Sequence, residues 1–120
     1  MDELVARLSE GKHKVSAERY KTVKELKEAT DRDYVLIKFT ETKGGTELGI
    51  KLDRAQSVLN TGDFEAGTGT VTYVGTLVLN YNEVEMHAEI DLSTLKGEGF
   101  LKLIADEAEW RAKQKQKQSA

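Results

Sequence analysis

Two runs of alternating apolar and polar residues face each other across Tyr81-Asn82. Val71, Tyr73, Leu77 and Leu79 precede the turn, and Val84, Met86, Ala88, Ile90 and Leu92 follow it. An antiparallel pairing turned there sets Leu79 opposite Val84, Leu77 opposite Met86 and Tyr73 opposite Ile90, which gathers the large apolar side chains on one face. The other face takes Thr70, Thr72, Thr76, Glu83, Glu85, His87, Glu89 and Asp91. An earlier pair has the same form. Tyr34 to Thr40 is β-branched and aromatic, Gly44-Gly45 is a two-residue hairpin signal, and a turn there sets Phe39 opposite Ile50 and Ile37 opposite Leu52. Tyr34, Leu36, Val74 and Val78 point the other way, so part of the second face is apolar too and calls for cover by a helix or another subunit.

Helical periodicity frames these hairpins. Asp2 to Ser9 carries Leu4, Val5 and Leu8 on one stripe and ends at Gly11. A second helix is expected from Ser16 as N-cap to about Thr30, with Tyr20, Val23 and Leu26 inward, against a competing strand through His13, Val15 and Ala17. Asp53 and Gln56 form a capping-box pattern for a short helix over Arg54 to Asn60. Thr61 to Gly69 reads as a Gly-rich polar loop. Phe100 to about Lys115 reads as the longest helix, with Phe100, Leu101, Ile104, Ala105, Ala108 and Ala112 as its stripe. The expectation is an α+β fold: a four-stranded antiparallel sheet of two β-hairpins, flanked by N-terminal helices and a C-terminal helix. It forms one domain over residues 1–112, with a frayed Lys/Gln tail over 113–120.

Composition narrows the function classes. Of 120 residues, 38% are apolar and 32% charged, which favours a thin core or one completed by a partner. Net charge is −3 with signs interspersed, so no global field draws the chain to nucleic acid or anionic lipid. There is no cysteine, which excludes disulfides, thiolate zinc sites and cysteine nucleophiles. No apolar run approaches the roughly 20 residues of a membrane span, and the default location is cytoplasmic. Proline is absent as well, so strand edges must be guarded by Lys38, Lys43 and Lys51 or by a second chain.

Candidate chemistry is sparse. Glu83, Glu85, His87, Glu89 and Asp91 share one strand face, where His87 with Glu85 or Glu89 could act as acid and base. The bland alternative is the wet outer face of a half-buried hairpin. Tyr73, Met86 and Tyr34 could line a cup, with Thr72 and Thr76 positioning a ligand. His13 and His87 lack metal-ligand spacing, no loop has the calcium pattern, and neither Gly67-Gly69 nor Gly97-Gly99 completes a phosphate cradle. Gly99 before Phe100, with Lys96 and Lys102 near, suggests weakly an anion at a helix start. No serine lies in a nucleophile elbow. No metal or cofactor is expected. Leu103 and Trp110 lie a heptad apart on the expected helix, where either Trp110 packs on the sheet edge or the two form a seam for a partner, joined by Tyr34 and Leu36.

Three functions follow from these features. The favoured one is a non-enzymatic protein-protein interaction or adaptor protein, a homodimer or bound to a partner chain through apolar burial and strand-edge pairing. The alternative is a small-molecule binder or small enzyme built on the concave sheet and His87. The third is single-stranded nucleic-acid binding by Lys113, Lys115, Lys117 and the sheet tyrosines, opposed by the acidic residues on the same face.

Overall fold

The computed structural model describes residues 3–42 and 44–118, with the side chains of its last helix only as far as Lys115. Asp2 at the expected helix start, the edge charge of Lys43 and the end of the tail lie outside the described residues. In chain order the elements are α1 (Glu3–Leu8), β1 (His13–Ser16), α2 (Val23–Asp31), β2 (Tyr34–Phe39), β3 (Thr46–Leu52), β4 (Gly62–Asp63), β5 (Thr68–Leu79), β6 (Asn82–Asp91), β7 (Lys96–Ala105) and α3 (Glu107–Gln118).

The fold is α+β with an antiparallel sheet, but the sheet has seven strands where four are expected, in the order β3-β2-β1-β7-β6-β5-β4. A further pairing of β3 with β5 joins the two sides, so six strands close into a barrel and β4 forms a short flap on β5. The inward residues follow the two-residue period: Val35, Ile37 and Phe39 on β2, Leu48, Ile50 and Leu52 on β3, Val71 and Tyr73 on β5, and Val84, Met86, Ala88 and Ile90 on β6. Val5 and Leu8 of α1 and Leu26 and Ala29 of α2 join the same buried cluster. Each such aliphatic side chain contributes about 1.5–3 kcal/mol by leaving water.

Four expectations are corrected. Ser16 ends β1 instead of capping a helix, and α2 starts six residues later, where Thr22 Oγ1 accepts from Glu25 N at 3.2 Å. The residues before Thr22 are held by β1, whose His13, Lys14, Val15 and Ser16 pair with β7. Phe100 to Ala105 is strand, because Phe-Leu-Lys-Leu-Ile satisfies an alternating period as well as a helical one and a full ladder to β6 decides between them. The helix begins only at Glu107 and continues to Gln118, through most of the segment where a frayed tail is expected. Arg54 to Asn60 forms no helix. Asp53 Oδ1 accepts from Ala55 N and Gln56 N, but only one turn follows, since Ser57 and Val58 bond along β5 at Val74 and Thr72.

Both hairpin registers also differ. Leu79 faces Asn82, Leu77 faces Val84 and Tyr73 faces Ala88, because Asn80 and Tyr81 are the turn residues, both at positive φ (49° and 65°). In the first hairpin Phe39 faces Thr46, Ile37 faces Leu48 and Val35 faces Ile50. Both shifts are even, so every side chain stays on its expected face.

Candidate functional site

Apolar side chains line the inner face of the barrel, and the polar side chains of β5, β6 and β7 stand on its outer wall. Tyr73 and Met86 have no exposed surface and belong to the core. The Tyr73 hydroxyl lies 2.9 Å from Thr30 Oγ1, which itself donates to Leu26 O at 2.8 Å. Burial, only partly offset by the Thr30 bond, pushes the Tyr73 phenol up to about 12.

On the outer wall the strands set up cross-strand rows: Thr70, Asp91 and Lys96; Thr72, Glu89 and Glu98; Val74, His87 and Phe100; Thr76, Glu85 and Lys102. His87 Nε2 lies 2.6 Å from Glu85 Oε1, and the imidazole lies flat on Phe100, with centroids 4.8 Å apart and planes at 3°. Gln56 Nε2 donates to the other Glu85 oxygen at 3.3 Å. Beside this stack is a groove of about 490 Å³ lined by Lys12, Thr70, Thr72, Glu89, Lys96 and Glu98 among others. Glu89 and Glu98 stand directly opposite each other. Asp91 accepts from Ser93 N and Oγ at 2.9 and 2.7 Å, and these bonds hold its carboxyl below the usual range.

The row expected from the sequence therefore brings His87 to Glu85, with Glu89 one position on and turned to the groove, and Thr72 beside it. Thr76 sits in the next row, next to Glu85. The Ser57 hydroxyl is engaged with the backbone, donating to Val74 O and accepting from Val74 N. Among the described residues no group of three His, Asp or Glu side chains is arranged to hold a metal ion. His13 is elsewhere, with Nε2 donating to Glu10 O at 2.8 Å and its ring edge-on to Phe39.

A second surface forms where β5 turns into β6. Tyr81 occupies the turn, its ring 6.0 Å from Trp110 and under the Arg111 guanidinium at 4.7 Å. Asn82 Oδ1 accepts from Glu107 N at 3.1 Å and caps α3, while Lys113 Nζ reaches Glu83 at 3.3 Å. Val78, Tyr81 and Ile104 are exposed there, at 46%, 55% and 39%. Leu103 and Trp110 do not share a helix face, because Leu103 lies on β7, half-buried against the core, and Trp110 lies on α3. Tyr34 and Leu36 are on β2, where Tyr34 faces Lys51, which in turn faces Thr76 of β5; the Tyr34 ring lies over Gly49, and Leu36 N donates to the Tyr20 hydroxyl at 3.0 Å.

Sequence reasoning gives no site role to Phe100, Glu98, Tyr81 and Ile104, whereas it places Val78 on a partly apolar second face. The alternation of Glu98, Phe100, Lys102 and Ile104 was the available signal for β7. No protein-family model matches the chain, and no curated protein matches it.

Proposed function

We propose that this protein is a non-enzymatic interaction or adaptor protein that works bound to a partner chain, through side chains displayed around the β5–β6 turn and α3. One observation carries the reading: three of the five large apolar side chains exposed among the described residues, Val78, Tyr81 and Ile104, lie at this end of the barrel, beside a helix that is almost wholly exposed. Pairing around the barrel is partial, since β1 meets β2 only at Phe39 and Lys38 and β7 only over residues 96–99, and β3 meets β5 only at Lys51 and Leu52, so the contact can draw on open stretches of strand edge as well as on side chains. Native mass spectrometry of the gently purified full chain tests this. The expected result is a complex with a second polypeptide that is lost in Val78→Lys with Ile104→Lys. A bare single chain in the wild type overturns it.

A second reading, small-molecule binding or acid–base chemistry in the outer groove, is favoured by the His87–Phe100 stack and its hydrogen bond to Glu85. It expects added small mass on a single chain, removed by His87→Ala and Glu89→Gln. Ligand retention in both variants counts against it.

A further inference from the structure

We infer that the outer groove takes a small organic cation whose N–H group donates to Nδ1 of His87, and that Glu85 is the positioning residue that keeps this nitrogen an acceptor; this rests on the small-molecule reading above and names its ligand class. Glu85 decides where the imidazole carries its proton. His87 Nε2 lies 2.6 Å from Glu85 Oε1. A carboxylate only accepts, so the hydrogen of this contact belongs to Nε2, and the neutral ring is left with Nδ1 as its acceptor. Nδ1 meets no hydrogen-bond partner among the described residues.

Two further contacts hold the ring and the carboxylate in place. Phe100 lies flat against the imidazole, with planes at 3°, and sets the plane of the ring. Gln56 Nε2 donates to Glu85 Oε2 at 3.3 Å and to Asp53 Oδ2 at 2.8 Å, so both hydrogens of its amide are used and the amide braces Glu85 from the far side. The His87 and Glu85 side chains are 27% and 15% exposed, which limits competition from water for their shared bond.

The groove supplies the rest of the recognition. Its volume of about 490 Å³ is in the range of small-ligand sites. The row next to His87 holds Thr72, Glu89 and Glu98, and the two carboxylates stand directly opposite each other with no ion-pair partner among the described residues. Like charges facing across strands cost free energy, which a cation between them offsets. Three carboxylates line the groove, Glu89, Asp91 and Glu98, against the ammonium groups of Lys12 and Lys96, and Lys96 is drawn off to Glu18 at 3.4 Å. Glu89 follows His87 by two residues on the same strand face, roughly 7 Å along it, so one small cation can reach both. An ammonium or amidinium group brings several N–H donors and the opposite charge, whereas an anion sets acceptors against acceptors.

Nuclear magnetic resonance of the nitrogen-15-labelled full chain tests the positioning without any ligand. On the neutral ring, at the alkaline end of its titration, wild-type His87 is expected to be a single tautomer with its proton on Nε2. Glu85→Ala should give a mixture of both tautomers, and Gln56→Ala a smaller admixture. If Glu85→Ala does not fold, Glu85→Gln takes its place, since an amide can offer Nε2 either an oxygen or a nitrogen and should also give a mixture. A wild type protonated on Nδ1, or a tautomer unchanged by loss of the carboxylate, overturns the role of Glu85.

Butylammonium chloride then probes the ligand class, with sodium butyrate as its anionic counterpart. Butylammonium is expected to move the Nδ1 resonance of His87, severalfold less in Glu89→Gln with Glu98→Gln, and butyrate to leave it in place. An equal response to butyrate, a response untouched by the double variant, or no response to butylammonium overturns the cation. A retained small molecule that is not basic, seen by native mass spectrometry and lost in His87→Ala, removes the ligand class and keeps the small-molecule reading. A wild type with no retained mass and no response to either probe removes both.

Discussion

Tyr73 is the residue on which burial and hydrogen bonding meet most directly. Because the Thr30 hydroxyl donates to Leu26 O, it accepts from the Tyr73 hydroxyl, which fastens α2 to the barrel interior. Thr30→Val leaves a buried phenol without a partner and should cost about 1–3 kcal/mol, whereas Tyr73→Phe leaves Thr30 still bonded to Leu26 and should cost about 0.5–1.5 kcal/mol. Urea unfolding of the two variants checks that order. The raised phenol adds a pH dependence with a definite sign. Between the ordinary tyrosine value near 10 and the folded value of about 12, the unfolded chain has released a proton that the folded one keeps. Stability from this group is therefore fully present below pH 10 and lost as pH rises through 12. Wild type should lose about 2–3 kcal/mol more than Tyr73→Phe across that window. That Tyr73 points inward is legible from the alternation of β5; that its hydroxyl meets Thr30, 43 residues away in sequence, is not.

At the scale of elements, the segments with one consistent period form as their pattern predicts, and those with two readings are decided by neighbours. Val84 to Ile90 alternates cleanly, Val71 to Leu79 does so apart from Val74 and Val78, and both are strands. Phe100 to Ala105 fits both periods, and its ladder to β6 and β7's pairing with β1 select the strand. Gly97 is part of the reason: a Cβ there would stand 1.6 Å from Glu89 O, so β7 lies against β6 more closely than a side chain would permit. The helix boundary at Glu107 is set locally by Asp106, whose Oδ1 accepts from Glu109 N at 2.9 Å, and is reinforced by a distant residue, Asn82, whose Oδ1 accepts from Glu107 N. Asn82→Ala should cost about 1 kcal/mol and lower the hydrogen-exchange protection of Glu107 to Arg111 selectively. Equal loss of protection in β6 and β7 would show that Asn82 serves the barrel instead of the helix.

Closure is the property of the whole molecule. It rests on a short seam in which Lys51 faces Thr76, Leu52 faces Gly75 and Asp53 N donates to Val74 O at 2.8 Å. A Cβ at position 75 would sit 2.5 Å from Lys51 O, so the seam needs glycine there. Gly75→Ala should push β3 off β5, destabilise by roughly 2–4 kcal/mol and speed amide exchange at Asp53 ahead of the β5–β6 ladder. Uniform protection in that variant would mean the barrel absorbs the methyl without opening. Within the two hairpins, alternation alone dictates which side chains face inward, because a two-residue period survives any even shift of register. The sequence also determined the α+β class and the acidic outer row that contains Glu85, His87 and Glu89. The registers, the strand character of β7, the closure through Gly75, and the placing of Phe100 under His87 and of Val78, Tyr81 and Ile104 around one end come instead from the folded arrangement. These depend on pairings between residues far apart in the chain, whose free energy comes from ladders and packing that no local window contains.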